Sequence, residues 1–231
     1  MTSPDLSHFV ERIFENPELH RMGHNQCADD KNLGLGWIYY AMGRVARPGC
    51  AVVIGSWRGF VPMMIARALS DNAEAGEVWF IDPSMVDDFW QDATRTKAHF
   101  ASYGLHNVRH FAMTTQQFVE TDDYKSLTNV GLLFVDGYHT AEQAKFDHKA
   151  FANRLAPRAF TLFHDSMVER RSTIYGEGRS YQMDVGDYMR ELAVHPDLQV
   201  MDFPFGTGLT MVRSIKDGRG TPHLSGKEGW D

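Results

Sequence analysis

The chain has 231 residues, 43% hydrophobic and 23% charged, with a formal net charge of −7. That is the profile of a globular protein with a sizeable core, and its scattered basic residues lack the clustering that a nucleic-acid surface requires. No apolar run approaches the ~20 residues of a membrane span, and residues 1–11 lack the charged-then-apolar order of a signal peptide, so a cytoplasmic protein without nucleic-acid or membrane partners is expected. Cys27 and Cys50 stand in different contexts without metal-ligand spacing and read as reduced thiols.

Ser3-Pro4 has the form of a helix cap followed by proline at the first helical position, and Leu6, Phe9, Val10, Ile13 and Phe14 then share one helical face up to Asn16-Pro17. That face needs a partner surface, either the main domain or another subunit, which makes a homo-oligomer an expectation. His20, His24, Cys27, Asp29 and Asp30 follow in a polar connection that fits no metal-ligand motif and reads as a solvated or substrate-contacting loop. Leu33, Trp37, Ile38, Ala41, Met42 and Val45 mark a second helix, stopped by Arg47-Pro48-Gly49.

From Cys50 the pattern changes to short strands alternating with helices. Residues 51–54 form a strand, followed by a tight loop, Gly55-Ser56-Trp57-Arg58-Gly59, and a helix with Val61, Met64, Ile65, Ala68 and Leu69 inward. Residues 77–81 are the next strand, ending at Asp82-Pro83; residues 87–103 read as a helix and 107–111 as a strand. Thr114 or Thr115 caps a short helix through Phe118. The run Gly131-Leu132-Leu133-Phe134-Val135 has the composition of a strand buried on both faces and ends at Asp136-Gly137-Tyr138-His139. A helix through about Leu155, ended near Pro157, precedes a strand over 159–163 that closes on His164-Asp165. Repeated strand–helix alternation predicts a doubly wound parallel sheet. Beyond a helix bearing Val185, Tyr188, Met189 and Leu192, the link Pro204-Phe205-Gly206-Thr207-Gly208 is too short for a parallel crossover. It predicts a hairpin with an antiparallel strand at the sheet edge. The division expected is a helical segment over 1–49, an α/β domain over 50–215, and a polar tail over 216–231.

The loop from Gly55 to Gly59 lies where a helix N-terminus meets a nucleotide-like ligand, and Asp82 ends the next strand where a carboxylate can accept both hydroxyl protons of a ribose. Trp57 and Phe60 occupy the third and sixth positions of the dinucleotide fingerprint, so that motif is absent, and no Lys-Ser or Lys-Thr completes a phosphate loop.

Taken in order, Val52-Val53-Ile54-Gly55-Ser56-Trp57-Arg58-Gly59, Phe80-Ile81-Asp82, Phe134-Val135-Asp136-Gly137-Tyr138-His139, Phe163-His164-Asp165 and the terminal hairpin resemble the class I S-adenosylmethionine-dependent methyltransferases. Among these the chain is most similar to the metal-dependent sugar O-methyltransferases of macrolide and aminocoumarin biosynthesis. The resemblance implies a seven-stranded, mostly parallel Rossmann-like sheet. It also implies that Gly55, Ser56 and Gly59 line the methionine end of S-adenosylmethionine, with Asp82 on the ribose, Thr114, Thr115 and Gln116 flanking the adenine, and Trp57 and Asp136 as further cofactor-binding candidates. Val53 stands where the family usually carries an acidic residue.

Methyl transfer to a hydroxyl needs an aligned oxygen freed of its proton, by a general base or by a divalent cation that lowers the hydroxyl's pKa. Asp136 and Asp165 end neighbouring strands and can converge on one cation. The resemblance implies that they bind magnesium or manganese and that His139 is the base. His164 occupies the first position of the family's acidic pair; imidazole suits manganese better than magnesium, and His164 stands as a further candidate ligand. Asp147 reads as a surface or capping charge, and residues 166–182, with Gly176, Gly178, Arg170, Arg171 and Arg179, suit a lid over a polar substrate and equally a solvated loop. The expected function is O-methylation of a small hydroxylated molecule such as a sugar, natural product or catechol. The alternatives are metal-free N-methylation, a non-catalytic cofactor-binding protein of the same fold and, more distantly, a nicotinamide-dependent reductase.

Overall fold

The structure is a computed structural model that describes residues 5–21 and 23–215. The Ser3-Pro4 cap and the polar tail from Lys216 lie outside the described residues. Helix α1 (Leu6–Glu15) is capped by Asp5, whose side chain accepts the Ser7 N–H, and α2 (Gly36–Ala46) follows a polar connection. The alternating part comprises β1 (Cys50–Ile54), α3 (Phe60–Ser70), β2 (Glu77–Ile81), α4 (Ala93–Ser102), β3 (Val108–Phe111), α5 (Thr115–Phe118), α6 (Asp122–Ser126), β4 (Val130–Val135), α7 (Ala141–Phe151) and β5 (Leu155–His164). A small hairpin of β6 (Arg170–Ser172) and β7 (Tyr181–Met183) precedes α8 (Val185–Ala193), β8 (Leu198–Phe203) and β9 (Leu209–Ser214).

The main sheet has the order β3-β2-β1-β4-β5-β9-β8. β1 pairs in parallel with β2 on one side and β4 on the other, so the strand order reverses at β1 and opens a crevice at the carboxyl ends of these strands. The terminal hairpin forms as expected, with one difference in placement. Its antiparallel strand, β9, lies between β5 and β8, so the edge strand β8 runs parallel to the rest. The central strands β1, β2 and β4 are largely buried on both faces, and period-two alternation sends successive residues into two cores. Ala51, Val53, Phe80, Leu132, Phe134 and Leu162 join α1, α2, α3 and α4. Val52, Ile54, Ile81, Leu133, Val135 and Phe163 join α7 and α8 on the opposite face.

The apolar face of α1, formed by Phe9, Val10 and Ile13, is buried in the first of these cores and is covered by this chain itself. Helix α2 is turned from the expected face. Trp37 and Val45 are exposed, whereas Gly36, Tyr39 and Gly43 are buried. The glycines explain the rotation: a Cβ on Gly36 would lie 2.6 Å from Phe60, and one on Gly43 2.7 Å from Ala68, so α2 packs on α3 through its smallest residues. Helix α4 starts later than residue 87, because Asp92 caps it through the Thr94 and Arg95 N–H groups. Helix α7 ends at Phe151 and not near Pro157, which lies inside β5, in the stretch where the β4–β5 register shifts.

Candidate active site

The crevice holds a cavity of about 350 Å³. Its first wall is the loop after β1. Gly55 has φ +72°, and a Cβ there would stand 2.3 Å from the Asp136 carbonyl oxygen, so only glycine lets the β1 and β4 ends approach so closely. Gly59, at φ +88°, opens α3. The Ser56 hydroxyl accepts the Val61 N–H at 3.2 Å, capping that helix, and its own N–H donates to Asp82 Oδ2 at 3.3 Å. Trp57 is anchored through its carbonyl, which accepts the Trp90 indole N–H at 2.7 Å.

Asp82 Oδ1 accepts a second backbone N–H, from Ser84, at 2.7 Å. Burial pushes the Asp82 carboxyl up to about 6, against the opposing pull of these two N–H donors. Farther along the wall, Thr114 caps α5 in a reciprocal pair with Gln117. Gln116 Nε2 donates to Gln143 Oε1 at 2.8 Å. Asp147, expected at the surface, is only 1% exposed, lines the cavity and accepts from Gln143 Nε2 at 2.8 Å. It occupies the apolar stripe Ala144–Asp147–Phe151 of α7. A carboxyl on the buried stripe of a helix is the signal by which the sequence reveals it.

Asp136, His139 and Asp165 each offer a ligand atom within 4.8 Å of the others. His139 Nδ1 lies 3.1 Å from Asp165 Oδ2. His164 is not a member of that group. Its Nδ1 donates to Asp136 Oδ1 at 2.9 Å and lies at an ion-pair distance of 3.6 Å from Asp165 Oδ2. Strand residues in succession point to opposite faces, but Asp165 adopts a left-handed φ of +53°, which breaks β5 and turns both side chains to one side. Burial disfavours charge on His164, but Asp136 and then Asp165 outweigh it and raise the imidazole to about 10. Burial likewise acts to raise Asp165, and His164, followed by His139, overcomes this to hold it well below the usual carboxylate range.

The polar connection before α2 supplies one site residue, His24. It is buried, its ring packs 4.3 Å from that of His164, and its Nδ1 lies 3.1 Å from the Tyr39 hydroxyl. Nothing in the spacing of residues 20–30 marks it out. The segment after Asp165 folds as the β6–β7 hairpin, whose short strands the sequence pattern conceals. Of the two readings of its arginines, the solvated one fits, since Arg170, Arg171 and Arg179 do not line the cavity. Arg170 donates to Met183 Sδ and Arg171 to Ser180 Oγ. Ile174 and Tyr175 form the wall instead. Tyr138 stacks on Tyr181 at 4.1 Å and on Tyr175 at 5.5 Å, fastening the hairpin over the Asp136–His139 turn.

Comparison with known proteins agrees with this geometry. Residues 52–166 match a family model described as a methyltransferase domain. The O-methyltransferase TomG from Streptomyces achromogenes, involved in tomaymycin synthesis and solved with SAM, superposes with a TM-score of 0.59 at 17% identity, over 93% of this chain and 91% of that one. An O-methyltransferase from Bacillus cereus in complex with SAH gives 0.62 at 13% identity, over 91% and 92%. The Sinorhizobium fredii protein y4gI is 29% identical over 182 residues, which is 76% of this chain and 18% of that protein, so the chain spans less than a fifth of that relative. Residues 52–166 thus resemble a methyltransferase domain, and the chain shares the fold of these solved O-methyltransferases.

Proposed function

We propose that the chain is an S-adenosylmethionine-dependent O-methyltransferase of a small hydroxylated molecule, with His139 as general base and a divalent cation held by Asp136 and Asp165. The observation that carries this reading is the His139 Nδ1–Asp165 Oδ2 pair at 3.1 Å beside Asp136, in a cavity walled by the Gly55–Gly59 loop. A carboxylate that accepts Nδ1–H fixes the tautomer, leaving Nε2 with the lone pair needed to take a proton.

The residues present suit both ligands. Asp82 closes the middle of the cavity with a carboxylate able to accept the two hydroxyls of a ribose, and the cavity volume falls in the range of small-molecule sites. The carboxylates of Asp136 and Asp165, which offer oxygens within 4.8 Å of each other, would hold magnesium or manganese, with remaining positions open to water and substrate oxygen and His139 left free to act as base. Such a cation supplies a lowered pKa to a coordinated hydroxyl, and the bound sulfonium supplies the methyl group.

The chain's own groups do the rest. Asp165 orients His139, and His139 Nε2 takes the hydroxyl proton as the acceptor oxygen bonds the methyl carbon and the carbon–sulfur bond breaks, leaving a methyl ether and the thioether product. Tyr138 and Tyr175, stacked on each other, line the same cavity and would shield the transfer from water once ligands fill it.

Calorimetry with S-adenosylmethionine, followed by product mass spectrometry on a panel of sugar, catechol and amine acceptors with and without chelator, tests the proposal. Absence of cofactor binding overturns it. Turnover indifferent to chelator removes the cation, and amine products replace O-methylation with N-methylation.

A further inference from the structure

The His139 imidazole meets Asp165 at 3.1 Å, but its aim also depends on the backbone beneath it. A general base must be held to within about 0.5 Å of its productive geometry, and a single tether on the ring leaves the turn that carries it free to shift. That turn is residues 136–140, which belong to neither β4 nor α7. Asp184 grips it twice. The Asp184 N–H donates to the His139 carbonyl at 3.1 Å, and Asp184 Oδ1 accepts the Ala141 N–H at 2.6 Å. These contacts hold the two peptide units that follow His139, and so fix the direction in which its side chain leaves the backbone.

Asp184 does this in place of serving its own helix. It stands at the N-cap of α8, where an aspartate ordinarily accepts an N–H of the first turn, yet its side chain makes no such bond there. The carboxylate crosses instead to the first N–H of α7, a donor that the helix itself cannot satisfy. Thr140 already caps α7 in the usual way, through the Gln143 N–H at 3.2 Å. What the Asp184 contact adds is a fixed relation between the His139 turn and the β6–β7 hairpin, because Asp184 directly follows β7. Asp184 does not line the cavity, so it acts only through the turn.

We infer that Asp184 is a positioning residue for the base, resting on the assignment of His139 made above. It clamps the backbone beside His139 so that Nδ1 stays paired with Asp165 and Nε2 keeps its lone pair for the acceptor.

Nitrogen-15 NMR of the histidine side chains tests this, in the full metal-free chain and in Asp184→Ala, Asp184→Asn and Ala141→Pro, with His139 assigned through His139→Gln. Proline suits the first position of a helix, and Thr140 is already extended at φ −105° and ψ 151°, so Ala141→Pro deletes the same hydrogen bond while α7 keeps its start. At pH ~8, where ordinary histidines are neutral, His139 of the wild-type chain should show one tautomer, protonated on Nδ1. Asp184→Ala and Ala141→Pro should lose that single-tautomer pattern, with S-adenosylhomocysteine affinity by calorimetry within about twofold of wild type. Asp184→Asn retains an oxygen that can accept the Ala141 N–H and should restore the pattern. The wild-type pattern in either Asp184→Ala or Ala141→Pro overturns the inference, whatever the stability of the variant. So does an Asp184→Asn chain that behaves as Asp184→Ala does, or a loss of pattern accompanied by a matching loss of S-adenosylhomocysteine binding, which would mark a collapsed site and not a released turn. If the wild-type chain itself lacks the Nδ1 proton at His139, the base assignment falls, and the inference with it, before any variant is measured.

Discussion

His164 and Asp136 meet across the β4–β5 boundary, with Nδ1 2.9 Å from Oδ1, and this contact places an imidazole between two carboxylates that would otherwise repel. It couples stability to pH in a definite direction. The folded-state pKa of His164, about 10, lies above the unfolded value near 6.5. Its stabilisation is therefore fully present below pH ~6.5 and lost as pH rises through 10. In metal-free buffer, the denaturant midpoint of the wild-type chain should fall steadily from pH 7 to 10. His164→Gln should be less stable by about 3 kcal/mol at pH 7, because a buried charge pair loses one member, and should show little further loss over the same interval. Equal slopes for the two proteins would count against His164 as the charged bridge.

Gly55 controls how closely the two central strands approach. An alanine there must adopt φ +72° and place its Cβ 2.3 Å from the Asp136 carbonyl. The left-handed conformation costs about 1–2 kcal/mol for an L-residue, and relief of the clash costs a similar amount again. Gly55→Ala should lower stability by about 3 kcal/mol and weaken cofactor binding, both measurable by denaturant titration and calorimetry. A neutral outcome would show that the Asp136 backbone moves freely, contrary to its Ile54 hydrogen bond at 2.8 Å.

The same residues show what is legible in the sequence. Strand ends announce themselves: a short apolar run followed by a carboxylate places Asp82, Asp136 and Asp165 around one crevice, and the strand–helix rhythm yields the sheet. Orientation is less accessible. Whether His164 faces Asp136 depends on the left-handed turn at Asp165, which no residue type there signals. The large apolar residues of α2 mark it as a helix, yet its contact surface is made by Gly36 and Gly43, which carry no hydrophobic signal. The β6–β7 strands, Arg170–Ser172 and Tyr181–Met183, are three residues each and show no alternation, so the arginines of the lid draw attention that its tyrosines merit.

Those tyrosines fasten the hairpin over the cavity, and on the proposed reading they wall the acceptor. Tyr181 does not line the cavity but holds Tyr138 at 4.1 Å, and Tyr138 and Tyr175 form the wall. Truncating Tyr181 removes about 1 kcal/mol of aromatic pairing and loosens the hairpin. Tyr181→Ala should raise the acceptor KM severalfold and accelerate amide exchange over residues 170–183, with cofactor affinity little changed. A variant with faster exchange and an unaltered KM would remove the hairpin from acceptor binding.

Asp147 should act on stability in the opposite direction. Its folded pKa of about 6 lies above the unfolded value near 3.8. Between those values the folded state binds the proton more tightly, so stability falls as pH rises from ~4 to ~6 and the penalty is complete by pH 7. Holding the ionised carboxylate in this buried position then costs about 3 kcal/mol. An asparagine has no charge to bury and can still pair with Gln143. Asp147→Asn should therefore gain on the order of 2 kcal/mol at pH 7, less than the full penalty because Thr115 and Gln143 pair less well with an amide, and little or nothing at pH 4. Denaturant titrations at the two pH values measure the difference directly. A variant less stable than wild type at pH 7 would mean that the Thr115 and Gln143 hydrogen bonds outweigh desolvation, making the carboxylate a structural asset.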